Sequence, residues 1–315
     1  MRAAITPSRP VMWLAALIAL LSAAVASYGL ASWSPGGSPE TLTLRGERVF
    51  LFGRGLYRYD TLLNGAGFAG VDVVTLALAI PLLTVAVMLY RRGSVRGSLL
   101  LTGTLAYFLY NYASMAFGAA YNETFLAYVA IFSASLFALI ATWASIDLDR
   151  LPMHISPRLP RWIIALYLIA VATFLGIAWG GDVIWSLATG HTPTALGSYT
   201  TVVTYVLDLG VVAPTLILAA LLLIRGSAVG LLLASTMLTL MFTIGTALIA
   251  QSAAIVVEGV PLTRAALVGL VVSFGILCVI GIVLAAVFLR CVSDAPVPDY
   301  GNSIHARLPR SVRRR

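Results

Sequence analysis

Apolar residues fill this chain in runs of about twenty, separated by short turns where glycine, proline and arginine collect. As a helix, a run of that length covers the roughly 30 Å of bilayer hydrocarbon at ~1.5 Å per residue. The pattern predicts eight spans, at about 10–33, 69–90, 98–119, 124–146, 162–185, 203–224, 229–250 and 266–289. The expected fold is an all-α integral membrane bundle.

One span departs from uniform oiliness. In TLAYFLYNYASMAFGAAYNE (104–123), Thr104, Tyr107, Asn111, Ser114 and Gly118 recur at spacings of three and four. They therefore share one helical face. A face turned to lipid has no use for such a row, so it is expected to meet other helices or a polar cavity.

Residues 34–68 form the one sizeable loop. Its flexible SPGGSPE opening is followed by partial alternation in ETLTLRGERVFLFGRGLYRYD, which predicts a short hairpin lying as a cap on the membrane surface. The loop closes on Gly65, Gly67 and Gly70, a formal GxGxxG. It follows no clear strand and has no ribose-binding carboxylate in a βαβ context, so it reads as a flexible start to the next helix and not as a dinucleotide site.

A self-similarity runs through the chain. Pro81, Arg92-Gly93-Ser94, Gly97 and Leu99-Leu100 recur 133 positions later as Pro214, Arg225-Gly226-Ser227, Gly230 and Leu232-Leu233. One residue of slippage on, the polar stripe is answered by Thr236, Thr239, Thr243, Thr246 and Ala250. Spans two and three thus correspond to six and seven, which predicts two parallel four-helix halves. Pro81 and Pro214 lie inside spans, where a missing N–H is expected to kink the helix. Chance recurrence of a cheap turn is the competing reading of the repeat.

Composition sharpens this picture. All twenty basic residues are arginine, so no Schiff-base lysine and no lysine-dependent P-loop exists here. Placing both termini in the cytoplasm puts fifteen arginines inside and five outside, the bias expected of an inner-membrane protein. The chain then divides into a cytoplasmic N-terminus (1–9), the first span (10–33), an extracytoplasmic loop (34–68), spans two to four (69–146), a cytoplasmic loop (147–161), spans five to eight (162–289) and a basic cytoplasmic tail (290–315). The tail, ending Arg313-Arg314-Arg315, is suited to anionic lipid and gives no reason to expect nucleic acid. Ala24-Val25-Ala26 has the form of a signal-peptidase site, but the run around it is too long for a signal core, and a retained helix is expected. Cys278 and Cys291 suggest no disulfide framework, and the three scattered histidines no metal site. No cofactor is expected.

Depth locates the candidate chemistry. Counting ~1.5 Å per residue, Asp208 lies about 25 Å from Arg225, Asp72 about 28 Å from Arg91, and Asn111 about 22 Å from Arg96, all toward the outer surface. Eight of the twelve acids gather there, facing Arg54, Arg58 and Arg264. No charge is placed at the midplane, which counts against a proton- or ion-driven carrier. The candidate ligand-binding residues are Asp72, Tyr107, Asn111, Ser114, Asp208, Thr239, Thr243 and Thr246, with Arg54, Arg58, Asp60 and Glu123 in the outer loops. Ordinary interfacial polarity accounts for part of the cluster: Asp72 suits a helix N-terminus, and the tyrosines suit an aromatic belt.

The run GLYRYDTLLNGAGFAGVDVVTLALAIPLL, continuing into RRGSVRGSLLLTGTLAYFLYNYASMAFGAAYNETF, resembles a group of multi-pass prokaryotic membrane proteins, over about residues 50–140 and more faintly at DLGVVAP (208–214). The resemblance implies a membrane bundle and carries no activity with it. Three functions stay open. The first is binding or translocation of a small or lipid-like molecule in an outer polar pocket, with Asn111, Asp208 and Thr239, Thr243 and Thr246 converging. The second is a sensor or accessory subunit whose stripes glue helices together. The third is an outer-leaflet enzyme pairing Asp72 with Asp208.

Overall fold

The computed structural model describes residues 4–32, 38–193, 195–260 and 264–295. The basic tail beyond Ala295 and the side chain of Arg264 lie outside the described residues. Eight helical rods run through the described residues. They are α1 (Arg9–Ala31), α2 (Leu62–Val74) continuing into α3 (Ile80–Arg91), α4 (Val95–Gly118), α5 (Phe125–Ala144), α6 (Arg161–Leu175) continuing into α7 (Gly181–Thr189), α8 (Val203–Leu207) continuing into α9 (Ala213–Ile224), α10 (Ala228–Val257) and α11 (Arg264–Arg290). Seven rods are long and apolar enough to cross a membrane; α4 is not among them, although it is 24 residues long. Its polar and aromatic positions lower its mean hydropathy, yet 17 of its 24 residues are buried by the other helices. Helix α4 is thus covered mostly by protein.

Helices α4 and α10 cross at the centre, with α5 and α3 against α4, and α11, α9 and α2 against α10. At this crossing a Cβ added to Gly103 would lie 2.2 Å from Thr239 Cβ, and Thr236 Oγ1 lies 2.9 Å from Thr102 Oγ1. Small residues let the backbones approach, and hydroxyls tie them.

Each of the three compound rods is joined by one π-helical turn: Thr75–Ala79, Gly176–Gly180 and Asp208–Val212. Pro81 and Pro214 follow two of these closely. In place of a bare kink, the helix absorbs the missing N–H by widening for one turn. Those two π turns stand 133 positions apart. So do the turns that close α3 and α9. Gly93 N donates to Tyr90 O and Ser94 N to Leu89 O, while Gly226 N donates to Leu223 O and Ser227 N to Leu222 O. Gly93 and Gly226 both hold φ 75°, the left-handed conformation that ends each helix.

The two ends of the bundle differ. At one end, Glu40–Leu42 (β1) pairs antiparallel with Arg48–Phe50 (β2), the expected hairpin, and Gly53–Thr61 folds back beneath it; this is the cap end. At the other, Asp147 N donates to Ala4 O, and Ser293 N to His154 O. Asp294 caps α4, accepting from the N–H groups of Val95 (2.7 Å) and Arg96 (3.2 Å). The first and last described residues thus meet at one end. Ala24-Val25-Ala26 lies within continuous α1, with Val25 and Ala26 buried.

One boundary needs correction. The expected loop 34–68 is shorter, because α2 starts at Leu62 with Thr61 Oγ1 accepting from Asn64 N. Gly65, Gly67 and Gly70 are packing positions inside that helix. A Cβ at Gly65 would strike the Phe52 ring at 2.5 Å, and one at Gly70 would strike the Gln251 backbone at 2.6 Å. The same shift corrects Asp72. It is the eleventh residue of α2 and 1% exposed, far from the helix N-terminus whose dipole would have favoured it.

Candidate functional site

In the half of the bundle nearest the cap, α2, α4, α6, α8, α10 and α11 surround a cavity of about 550 Å³. Its walls are chiefly apolar and aromatic, from Leu63 and Phe68 on α2 to Phe274 on α11. That volume falls within the range of small-molecule sites. The upper part of the α4 stripe opens into it: Asn111, Ser114 and Gly118 all line the cavity, as does the neighbouring Tyr110.

Asp208 is the buried carboxylate of this cavity, 8% exposed. Tyr110 Oη donates to its Oδ1 at 2.8 Å, and Trp179 Nε1 to its Oδ2 at 2.8 Å. Asp208 opens one π turn and Trp179 belongs to another. Such turns shift side chains out of plain α-helical register and recur at functional sites; here two of them present a donor and an acceptor to each other. Beside them, Tyr205 stacks on Trp179 with ring centroids 4.7 Å apart and donates through Oη to Asp182 Oδ2 at 2.9 Å. Asp182 also lines the cavity.

Two polar atoms here lack partners. Asn111 Nδ2 and Ser114 Oγ are buried and make no hydrogen bond, on residues 8% and 9% exposed. A buried donor left unpaired costs about 1–3 kcal/mol, and natural bundles seldom keep two side by side without use.

The other candidates separate from this group. Thr243 Oγ1 satisfies itself on Thr239 O (2.8 Å), and Thr246 Oγ1 on Phe242 O (2.8 Å). Thr239 packs against Gly103. None of the three lines the cavity, which corrects the expected convergence. Tyr107 Oη lies 3.4 Å from Thr75 Oγ1, toward the α2 side. Asp72 accepts from Tyr57 Oη at 2.8 Å and packs against Gly29 of α1, where a Cβ would approach its Oδ2 to 2.1 Å. Asp72 and Asp208 share no hydrogen-bond partner, and only Asp208 lines the cavity. The expected pairing of Asp72 with Asp208 is therefore not formed at this cavity. Among the described residues no group of three or more His, Cys, Asp or Glu side chains is placed to hold a metal.

The outer-loop residues tie the cap down. Arg54 pairs with Glu258 at the end of α10, and Arg58 with Glu123 in the turn between α4 and α5. Asp60, 0% exposed, accepts from Tyr199 Oη (2.6 Å) and Ala120 N (2.7 Å) through one oxygen. Tyr199 belongs to the segment before α8 that lines the cavity, and Thr192 from the same segment donates to Glu47 Oε1 at 2.9 Å. The hairpin, this segment and the α4–α5 turn thus form one connected cover.

Burial pushes the Asp60 carboxyl up from 3.8 to about 6, against the two hydrogen bonds that favour its charged form. Its folded value lies above its unfolded one, so its contribution is complete below pH 3.8 and is lost as pH rises through about 6. At ~1.4 kcal/mol per unit, the loss is about 3 kcal/mol. Asp60→Asn, which keeps the Oδ1 acceptor, should remove this slope while leaving the Glu123 contribution. Glu123 acts in the opposite sense, held down by its hydrogen bond to Arg58, and weakens only in more acid solution. Urea unfolding in mild detergent between pH 4 and pH 7 measures the difference; an equal slope in wild type and variant would show Asp60 to be hydrated.

No family model, curated protein or solved structure matches this chain.

Proposed function

We propose that this chain is a multi-pass protein of the cytoplasmic membrane that binds or translocates a small or lipid-like molecule in the cavity between α4 and α8. The observation that carries the reading is the pair of unpartnered polar atoms, Asn111 Nδ2 and Ser114 Oγ, buried on the wall of a cavity of about 550 Å³. Beside them stands a carboxylate already oriented by Tyr110 and Trp179. A dry structural bundle gains nothing from such groups, whereas a ligand that pairs with them recovers their cost on binding.

In this reading α4 is the eighth span, carried by protein contacts on most of its surface. Both termini are cytoplasmic, in keeping with the arginine bias and with the meeting of Ala4–Asp147 and His154–Ser293 at one end. The cap and the cavity then face outward. The chain is two four-helix halves arisen by duplication, supported by the matched π turns and matched glycine turns 133 positions apart. The glycines that follow agree: Gly97 packs on Leu89 and Tyr90, as Gly230 packs on Leu222 and Leu223. The halves differ in use. Asp208 opens the π turn of the second, and Thr75, hydrogen-bonded to Tyr107, opens that of the first.

A second reading, an accessory or sensor subunit, draws on the other half of the α4–α10 contact, where Gly103, Thr102 and Thr236 serve packing alone. A thermal-stability screen of the detergent-purified chain against lipids and metabolites separates the two. A ligand at 100 times its Kd should add about 2.7 kcal/mol of stability, and Asn111→Leu should abolish that gain. If nothing stabilises the chain and Asn111→Leu alone raises the melting temperature, the accessory reading replaces the binding one.

A further inference from the structure

The charge of the cavity narrows its ligand, an inference that rests on the binding reading above. Among the described residues, the lining holds two carboxylates, Asp208 and Asp182, and no arginine or histidine. The chain has no lysine to supply. Asp208 receives two hydrogen bonds, both from neutral donors, Tyr110 and Trp179. A carboxylate offers about four acceptor sites, so these two donors orient it without neutralising it or filling it. A buried charge without a counter-charge is costly.

The walls beside Asp208 suit the missing partner. Trp179 and Tyr205 stack at 4.7 Å, Phe274 lies 6.4 Å from Trp179, and Phe174 meets Phe274 edge-on at 5.2 Å. Aromatic faces attract cations, most strongly where water is excluded. Asn111 and Ser114 add an amide donor and a hydroxyl nearby, both unpartnered and more than nine-tenths buried. Carboxylate, aromatic faces and apolar walls together describe a receptor for positive charge on an oily body.

We propose that the ligand is an organic cation, an amine or quaternary ammonium on an apolar or aromatic body. Its charged nitrogen meets the acceptor sites of Asp208 that Tyr110 and Trp179 leave open, beside the aromatic cluster, and an oxygen acceptor on its body meets Asn111 Nδ2. The body fills the space toward Phe68 and Phe274. Inorganic cations fit poorly, because the site offers few oxygen ligands and much hydrocarbon. An anion would be repelled by Asp208, whose two donors are both neutral.

The test uses one body with three heads: 4-phenylbutylamine, 4-phenylbutanol and 4-phenylbutanoate, titrated at pH 7 into the detergent-purified full chain by calorimetry. The amine should bind, the alcohol about tenfold or more weaker, and the carboxylate not measurably. Asp208→Asn, nearly the same shape without the charge, should weaken the amine about thirtyfold or more while leaving the alcohol unchanged. The head-group series on the wild type decides the matter even if that variant fails to fold. Equal binding of alcohol and amine, or preference for the carboxylate, overturns the cation assignment and leaves the cavity as a binding site. Binding by none of the three overturns both.

Discussion

Arg54→Ala should lower the stability of the folded chain by about 3–5 kcal/mol, the usual cost of removing one member of a buried ion pair. Arg54 and Glu258 are only 10% and 6% exposed in their side chains. The guanidinium also lies over the Phe52 ring at 4.6 Å, and Phe52 packs directly on Gly65 of α2. Losing the arginine would take a buried partner from Glu258 at the end of α10, while the cap loses its clamp. Part of the loss is the penalty on the remaining buried carboxylate. Arg54→Met combined with Glu258→Leu should therefore recover much of it, as apolar replacement of buried pairs often does. Unfolding in mild detergent, run as a double-mutant cycle, gives the coupling directly. A loss below about 1 kcal/mol, the range of exposed pairs, would mean that the pair is hydrated and the cap loosely held. Because the cap also fastens Tyr199 through Asp60, Arg54→Ala should additionally weaken whatever the cavity binds.

How far the sequence carried the reader follows from what hydropathy measures. It averages over a helix, so seven rods long and apolar enough to cross a membrane were plain; the run at 98–119 reads as an eighth, but the stripe of Tyr107, Asn111 and Ser114 lowers the hydropathy of α4 below theirs. The start of α2 was missed for a physical reason. Gly65, Gly67 and Gly70 look like loop punctuation in water, but in the bundle Gly65 is where Phe52 presses close and Gly70 where the α10 backbone does, with Gly67 on the cavity wall between them. Polar residue type also misled at Thr239, Thr243 and Thr246. A threonine in a helix can return its hydroxyl to a carbonyl three or four residues back, and Thr243 and Thr246 do so, which uses their one donor away from the cavity they do not line. Asp208 and Asn111 were legible because neither an aspartate nor an asparagine can hide that way in an apolar run. Trp179, Tyr110 and Tyr205 were not, since aromatic residues near helix ends are common in every membrane protein. What distinguishes these three is register, set by π turns at Gly176–Gly180 and Asp208–Val212. The nearby Pro214 and the glycines were the only written trace of it.

Gly70→Val is expected to cost about 3 kcal/mol or more, at the upper end of what overpacking does. A Cβ at this position would lie 2.6 Å from Gln251 Cα, 2.6 Å from Gln251 N and 2.7 Å from Ala250 C. These are backbone atoms of α10, so no side chain can rotate away to make room. The two helices must part. Gly103→Val meets an obstacle just as rigid: the nearest atom is Thr239 Cβ, fixed to the α10 backbone, at 2.2 Å, with Thr239 Cγ2 at 2.8 Å and the Thr236 carbonyl oxygen at 2.9 Å. A comparable loss is therefore expected at Gly103. Gly275→Ala is the control: this α11 glycine has nothing within 4 Å of its added Cβ, and it should be neutral or stabilising by up to about 1 kcal/mol from helix propensity alone. A large loss of melting temperature at both Gly70 and Gly103, with none at Gly275, tests whether close backbone approach, and not glycine's flexibility, is what these positions provide. Gly67, Val71 and Gln251 line the cavity at this same contact. Parting α2 from α10 would therefore reshape the site as well as weaken the fold, and the loss of bound amine in Gly70→Val should exceed that in Gly103→Val.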